Sequence, residues 1–489
     1  MAINDLAFNQ DYTCLSMSTS ECHKIFNCDP FGEFYNSPSD KNPSPTAFLR
    51  MLFSTSLTII VPESNSNLGN RVLQVYNLKQ NLKICELTFP SNIVDLMLNR
   101  KRLVVFLEVG QIYIYDLSSV RLMKVLEINS YSSKKHEEND KVVAALSADD
   151  RSYLALPLSV VNDQTDLFNA ESSSQPSTPV LRPSDSAAVV SLDSLVELTH
   201  KNEHSSLAKK EAITLEDLQK DSNGWMVIYD TINLKPRLLY KAHDSGIAKI
   251  ALSRDSHAVA TASTKGTIIR VCHLNFDLLD DLNKLTITHI TNLRRGHNLT
   301  RITNLTFSLD STVLGCGSES NTIHFFKTGG PTGTPAGPPG DYESSDEDAR
   351  SGRSSSEDLN ENLANLLISK QPEQEQEEEE PQSYFSLGLK KSSKFLKNQY
   401  TKSLIKKLPY RDYFDNLIWE PPRRSFAYVK LAESSPPDPR HKNVEIGFGS
   451  SGLLMLASYH TGTFYQYKLP RPHDEDREEC MLLSSHKLG

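Results

Sequence analysis

The residues with the most definite chemistry in this chain are two adjacent arginines closed by a glycine, Leu293-Arg294-Arg295-Gly296. A guanidinium is a planar, permanently charged fork that grips phosphate or carboxylate oxygens through paired, charge-assisted hydrogen bonds. Successive side chains of an extended segment point to opposite sides, so such a pair can serve two anion sites, one each. Taken alone, paired surface arginines are solvated ion-pairing groups of little consequence. A second basic stretch, SYFSLGLKKSSKFLKNQYTKSLIKKLPY from Ser383, carries Lys390, Lys391, Lys394, Lys397, Lys402, Lys406 and Lys407 and no acid. Within it Leu389, Leu396, Tyr400, Leu404 and Leu408 recur at spacings of four and seven, the spacing of one helical face. Basic amphipathic segments of this kind lie in a membrane interface, or dock on their own protein, or act as tethers. The acidic run Glu377 to Glu380 stands just before it. A third basic group, Asn99-Arg100-Lys101-Arg102, reads by itself as a solvated turn whose charges keep a sheet edge soluble.

Composition narrows the chemistry. The chain has 489 residues and a formal net charge of −9, which argues against a general nucleic-acid binder; any anion must be met by a local site. Seven cysteines, at 14, 22, 28, 85, 272, 316 and 480, are odd in number and scattered, which fits reduced thiols. Cys22, His23 and Cys28 lack a second pair at zinc-site spacing, so no metal is expected. The opening MAINDLAFNQDYTCLSM lacks a basic leader and a long apolar run and reads as no secretory signal, and no stretch approaches the roughly 18 apolar residues of a spanning helix. No nucleophile with a base and no carboxylate cluster is visible, so the sequence points to a binding protein that needs no cofactor.

The elements that must position these residues are short strands. Runs ending in an aromatic or polar step recur seven times: HKIFNCD from His23, VLQVYNL from Val72, QIYIYDL from Gln111, WMVIYDT from Trp225, TIIRVCHL from Thr267, TIHFFKT from Thr322 and TFYQYKL from Thr463. Before most of them lies another strand and a polar turn, as in ALSRDSHAVATAS and LTFSLDSTVLGCGS. Self-similarity at a period of about 40 residues is the mark of four-stranded propeller blades. The expectation is an all-β fold, a single seven-bladed, WD40-like β-propeller over residues 1–489. Two intervals break the period: 161–222 within blade four, with ESSSQPSTPVLRPSDS, and 329–422 within blade six, with EQEQEEEE and the basic amphipathic segment 383–410. Both are too poor in apolar residues to offset ordering entropy and are expected to be disordered insertions.

The seven-blade pattern, the string ATASTKGTIIRV (Ala260 to Val271), then LRRG, then SNTIHFF resemble, in that order, the PROPPIN family, the phosphoinositide-binding propellers of autophagy. The resemblance covers the chain outside the two insertions; leucine replaces the commoner phenylalanine of the family's F-R-R-G motif. It implies two lipid pockets. Arg294 would serve blade five with Thr261, Ser263, Lys265, Gly266, Thr267 and Arg270, and His243 at the edge; Arg295 would serve blade six with Ser318, Thr322 and His324; Gly296 would let the backbone turn clear of both. Singly, each serine or threonine is a turn or cross-strand hydrogen-bonding residue, and Arg270, inside a strand, can equally be a structural partner; only the ordered set points to lipid. The resemblance further implies membrane insertion by the blade-six loop through Leu389, Leu396, Tyr400, Leu404 and Leu408. It also implies that a basic residue at Arg100, with Lys101 and Arg102 beside it, receives acids of the coiled-coil subunit of the autophagy ligase complex, which handles a ubiquitin-like modifier. A cytoplasmic adaptor follows, peripheral on vacuolar and endosomal membranes and the phagophore assembly site. It would recognise phosphatidylinositol 3-phosphate and 3,5-bisphosphate and act in selective autophagy and cytoplasm-to-vacuole transport. A propeller scaffold without lipid recognition is the rival reading.

Overall fold

Strands alternating with tight turns leave each small sheet with two apolar faces, and neither can be buried within the sheet itself. In the computed structural model, which describes residues 2–37, 44–63, 69–127, 142–158, 224–276, 285–329, 422–431, 443–471 and 477–489, the solution is a seven-bladed β-propeller. Its seven sheets take their strands in chain order from the inside outward. The innermost strands of blades one to seven are Ile3–Phe8, Thr46–Met51, Ile93–Leu98, Ala145–Leu146, Ile247–Leu252, Ile302–Phe307 and Val444–Phe448. The seven aromatic-ending runs supply the third strand of every blade: His23–Cys28, Val72–Asn77, Gln111–Asp116, Trp225–Asp230, Ile268–Phe276, Thr322–Lys327 and Thr463–Lys468.

Second strands are sandwiched on both faces and therefore read as continuous apolar or small residues: Arg102–Leu107, Ala258–Ser263 and Val313–Ser318 are buried throughout. The apolar side chains form a core between each blade and the next. Leu154, Trp225 and Val227 of blade four meet Val104 and Ile114 of blade three, for example, and Ala260, Ile269 and Leu293 of blade five meet Leu314, Cys316 and Phe326 of blade six. Ring closure uses the same device between chain ends: Phe464 and Met455 of blade seven pack on Leu15 and Met17 of blade one. The Tyr459 hydroxyl accepts from the Leu6 N–H at 3.1 Å and lies 2.9 Å from the Leu6 carbonyl. Nearer the axis, Arg50 of blade two pairs with Asp5 of blade one and, at 3.1 Å, with Asp95 of blade three.

Two blades are wider than the repeat predicts. Arg423–Arg424 adds a fifth, parallel strand to blade five, with Leu293 opposite Arg423 and Arg294 opposite Arg424. Glu478–Glu479 does the same on blade six, beside Ala427–Lys430, its fourth strand. Blade four pairs Tyr153–Pro157 with Trp225–Asp230, and blade six pairs Thr322–Lys327 with Ala427–Lys430. The insertions expected at 161–222 and 329–422, with the segment 383–410, lie outside the described residues except at Gly329 and Pro422. Among the described residues no helix is long and apolar enough to cross a membrane.

Candidate functional site

Strand pairing decides where each arginine points. In blade five, Thr261 is opposite Arg270, Arg270 is opposite Asn292, and Ile268 is opposite Arg294. Registered partners share a face, so Thr261, Ser263, Arg270, Asn292 and Arg294 lie together. That face also carries Val259, Cys272 and Leu274, which pack on Met226 and Ile228 of blade four. The opposite face carries Ile269 and Leu293, which pack on blade six. Arg294 is thus directed to the cleft between blades four and five and Arg295 to the cleft between blades five and six.

In the first cleft, Thr261 is buried and its hydroxyl lies 3.0 Å from His243 Nε2. Burial first, then the Arg270 charge, lowers the His243 pKa from 6.5 to about 3, so the imidazole is neutral. Arg270 donates to the Ala242 carbonyl. This contact ties its guanidinium to the segment entering blade five, and the residue orients the cleft wall as well as charging it. Ser263 is buried, Lys265 exposed and Thr267 half-buried. Arg294 Nη2 donates to His297 Nδ1 at 2.9 Å.

In the second cleft, Arg295 is held to the blade-five turn: its N–H donates to the Thr267 carbonyl at 3.0 Å and its Nε to the Gly266 carbonyl at 2.7 Å. Its charge reaches across to Cys316 and His324 of blade six. Cys316 is opposite His324 in the blade-six hairpin, so Ser318, Thr322 and His324 share the face turned to blade five. Ser318 is buried with its hydroxyl 2.8 Å from that of Ser320. His324 is buried and neutral: desolvation, then Arg477 and Arg295, lower its pKa from 6.5 to about 4.

Two positions, Gly296 and Arg102, differ from the sequence expectation. Gly296 has neither a left-handed φ nor a close neighbour, and a Cβ built there meets nothing within 4 Å. The glycine the site requires is Gly266, whose φ is +64° and whose Cβ would stand 1.8 Å from the Thr300 carbonyl oxygen. Leu293 is fully buried and is part of the core between blades five and six. In the blade-three turn, Arg100 and Lys101 are exposed, and the Arg100 guanidinium sits 4.5 Å from the Phe53 ring centre. Arg102 does not fit the expectation of a partner contact. Only 6% exposed, it donates through Nη1 to Asp116 at 2.9 Å and through Nε to the Thr231 carbonyl of blade four, also at 2.9 Å. Asn99 is buried as well, its side chain bonded at 2.8 Å to the Ser147 carbonyl of blade four. Leu389, Leu396, Tyr400, Leu404 and Leu408 lie outside the described residues.

Arg424, brought beside Arg294, and Arg477, whose Nη2 lies 2.9 Å from His324 Nδ1, carry no signal in the local sequence. Both arrive by strand pairings distant in sequence.

The PROPPIN family model matches residues 2–220 and 208–343. Autophagy-related protein 21 of Debaryomyces hansenii is 52% identical over 99% of both chains, and its namesake in Candida albicans 50% identical over 100% of both. Among solved structures, the complex of KlAtg21 with the coiled coil of AgAtg16 superposes with a TM-score of 0.57 at 23% identity, covering 100% of both chains. Kluyveromyces lactis Hsv2 superposes with a TM-score of 0.55 at 15% identity, covering 100% of this chain and 99% of that one. The propeller, the ordered motif on blades five and six, and relatives alike along the whole chain agree: the chain belongs to the PROPPIN family of autophagy proteins.

Proposed function

We propose that the protein is a phosphoinositide-binding peripheral membrane adaptor. It takes phosphatidylinositol 3-phosphate and 3,5-bisphosphate headgroups in two clefts on one rim and recruits autophagy conjugation machinery to membranes, in selective autophagy and cytoplasm-to-vacuole transport. The observation that carries this reading is the sorting of Arg294 and Arg295 to opposite sides of blade five, the first on the face that carries Thr261, Ser263 and Arg270 with the neutral, buried His243, the second across from Ser318 and the neutral, buried His324. A neutral imidazole can donate one hydrogen bond without the desolvation cost of a second buried charge. Arg294, Thr261, Ser263, Lys265, Thr267 and Arg270 hold one headgroup, with His243 at the edge, and Arg295, Ser318, Thr322 and His324 hold the other. The segment 383–410, an insertion between strands of blade six, buries its leucines in the bilayer interface.

Arg100 and Lys101 meet acidic residues on a coiled-coil subunit of the ligase complex that serves a ubiquitin-like modifier. The solved partnership of KlAtg21 with the coiled coil of AgAtg16 supports that choice of partner. The protein works in the cytoplasm and peripherally on vacuolar and endosomal membranes and the phagophore assembly site, as an adaptor and not a catalyst.

Liposome flotation tests the reading. The native chain floats with vesicles containing either 3-phosphoinositide. Arg294→Thr with Arg295→Thr abolishes flotation at an unchanged melting temperature, and each single change leaves partial binding, because two clefts on one surface act by avidity. Normal flotation of the double variant overturns the lipid assignment and leaves a scaffold propeller.

A further inference from the structure

Arg477 enters the second cleft from a part of the chain that the motif does not include. It immediately precedes Glu478–Glu479, whose parallel pairing with Ala427 and Tyr428 fixes it on the outer edge of blade six. Its guanidinium lies over the Tyr428 ring, 4.4 Å from the centroid, and Nη2 is 2.9 Å from His324 Nδ1. Arginine only donates, so Nδ1 of His324 accepts and the imidazole proton resides on Nε2, making the ring a neutral donor. Among the described residues no carboxylate pairs with Arg477; its contacts are the imidazole and the aromatic face. Stacking fixes the planar group before any ligand arrives, so little freedom is lost on binding. Arg295, whose Nε and Nη2 donate to the Gly266 and Asn298 carbonyls, stands on the blade-five side of the cleft, and its charge acts on the same imidazole. Two guanidiniums from distant parts of the chain, one in contact with the imidazole and one acting on it through its charge, therefore flank one neutral donor.

We propose that Arg477 is a headgroup-binding residue of the cleft between blades five and six, giving that cleft a second guanidinium and with it a preference for a headgroup bearing two phosphates over one bearing one. Each fork meets one phosphate, and His324 Nε2 donates between them. The inference rests on the phosphoinositide reading above and specifies one cleft of it.

The experiment isolates that cleft by starting from Arg294→Thr. Binding is titrated with phosphatidylcholine vesicles containing phosphatidylinositol 3-phosphate, with vesicles containing the 3,5-bisphosphate, and with inorganic phosphate alone. The Arg294→Thr parent is expected to prefer the bisphosphate vesicles. Adding Arg477→Gln weakens bisphosphate binding about tenfold, the loss expected for charge-assisted hydrogen bonds. Monophosphate binding changes by less than about threefold. Arg477→Lys restores part of the difference, and inorganic phosphate does not saturate any variant. Equal loss for both lipids, or none, overturns the role of Arg477. A parent that binds neither vesicle overturns the phosphoinositide reading itself. Saturable binding of inorganic phosphate that falls with Arg477→Gln overturns the lipid headgroup as the ligand. Far-ultraviolet circular dichroism of each folded variant shows that the change lies in binding and not in the propeller.

Discussion

LRRG on blade five and NRKR on blade three look alike as strings, two short basic runs next to turns, yet the fold treats their arginines differently. On blade five both Arg294 and Arg295 stay at the rim, split between two clefts by strand alternation. On blade three the last arginine is drawn inward, and Arg102 joins blade three to blade four through Asp116 and the Thr231 carbonyl while Arg100 and Lys101 remain outside. What separates the two motifs is the neighbour each face meets. Arg102 spends its donors on another blade's carbonyl and on a carboxylate and becomes a structural pin; Arg294 and Arg295 bond only to nearby turn residues, and no carboxylate among the described residues pairs with either.

The widest effect that would break this comparison is on stability. Arg102→Ala leaves a buried carbonyl and an aspartate without their donor and should cost about 3 kcal/mol, read as a lowered urea midpoint, with lipid flotation of the folded fraction retained. If Arg102→Ala left stability unchanged and removed a partner, the distinction between pin and contact would fail. Next in size is the glycine pair. Gly266→Ala meets the Thr300 carbonyl in a left-handed turn and should cost about 2 kcal/mol or more and weaken lipid binding. Gly296→Ala, with nothing near, should change stability by under about 0.5 kcal/mol. Equal effects would mean the turn after the arginines, not the hairpin before them, organises the rim.

Arg100→Glu should abolish coiled-coil binding in a pull-down by charge repulsion. Its stability cost is about 0.5 kcal/mol, from the lost stacking on Phe53, and flotation is unaffected. Loss of flotation instead would merge the two basic surfaces into one.

A further effect concerns pH. His243 and His324 titrate near 3 and 4 in the folded protein against 6.5 when unfolded. The unfolded chain therefore binds their protons first as pH falls, and stability declines below about pH 6.5 towards pH 4. His324→Gln should flatten part of that decline in urea titrations at successive pH values. An unchanged slope would show that the cleft imidazole is not held neutral.

Much of this was legible in the strings themselves. All seven third strands carry aromatic or β-branched endings that single out their place in the blade, and LRRG after ATASTKGTIIRV located the rim. Alternation also foretold that Arg294 and Arg295 part company. What the sequence could not disclose are pairings between distant segments: Arg423–Arg424 beside LRRG, Glu478–Glu479 beside blade six, and therefore Arg477 over Tyr428. No local periodicity encodes a two-residue parallel strand. Nor does a basic turn announce which of its members finds a buried carbonyl, since that depends on Thr231, which another blade supplies.

The hydrogen bonds between Tyr459 and Leu6 span 453 positions of chain. During synthesis at roughly 5–20 residues per second, blade one waits about 23 to 90 seconds for the residues that will seal it. Over that interval Leu15, Met17 and Phe26, which end up against blade seven, have no native cover. Closure therefore waits on blade seven, and until then these side chains are open to sticking between nascent chains. A ribosome stalled before residue 459 would present an open arc whose first blade still exposes these side chains.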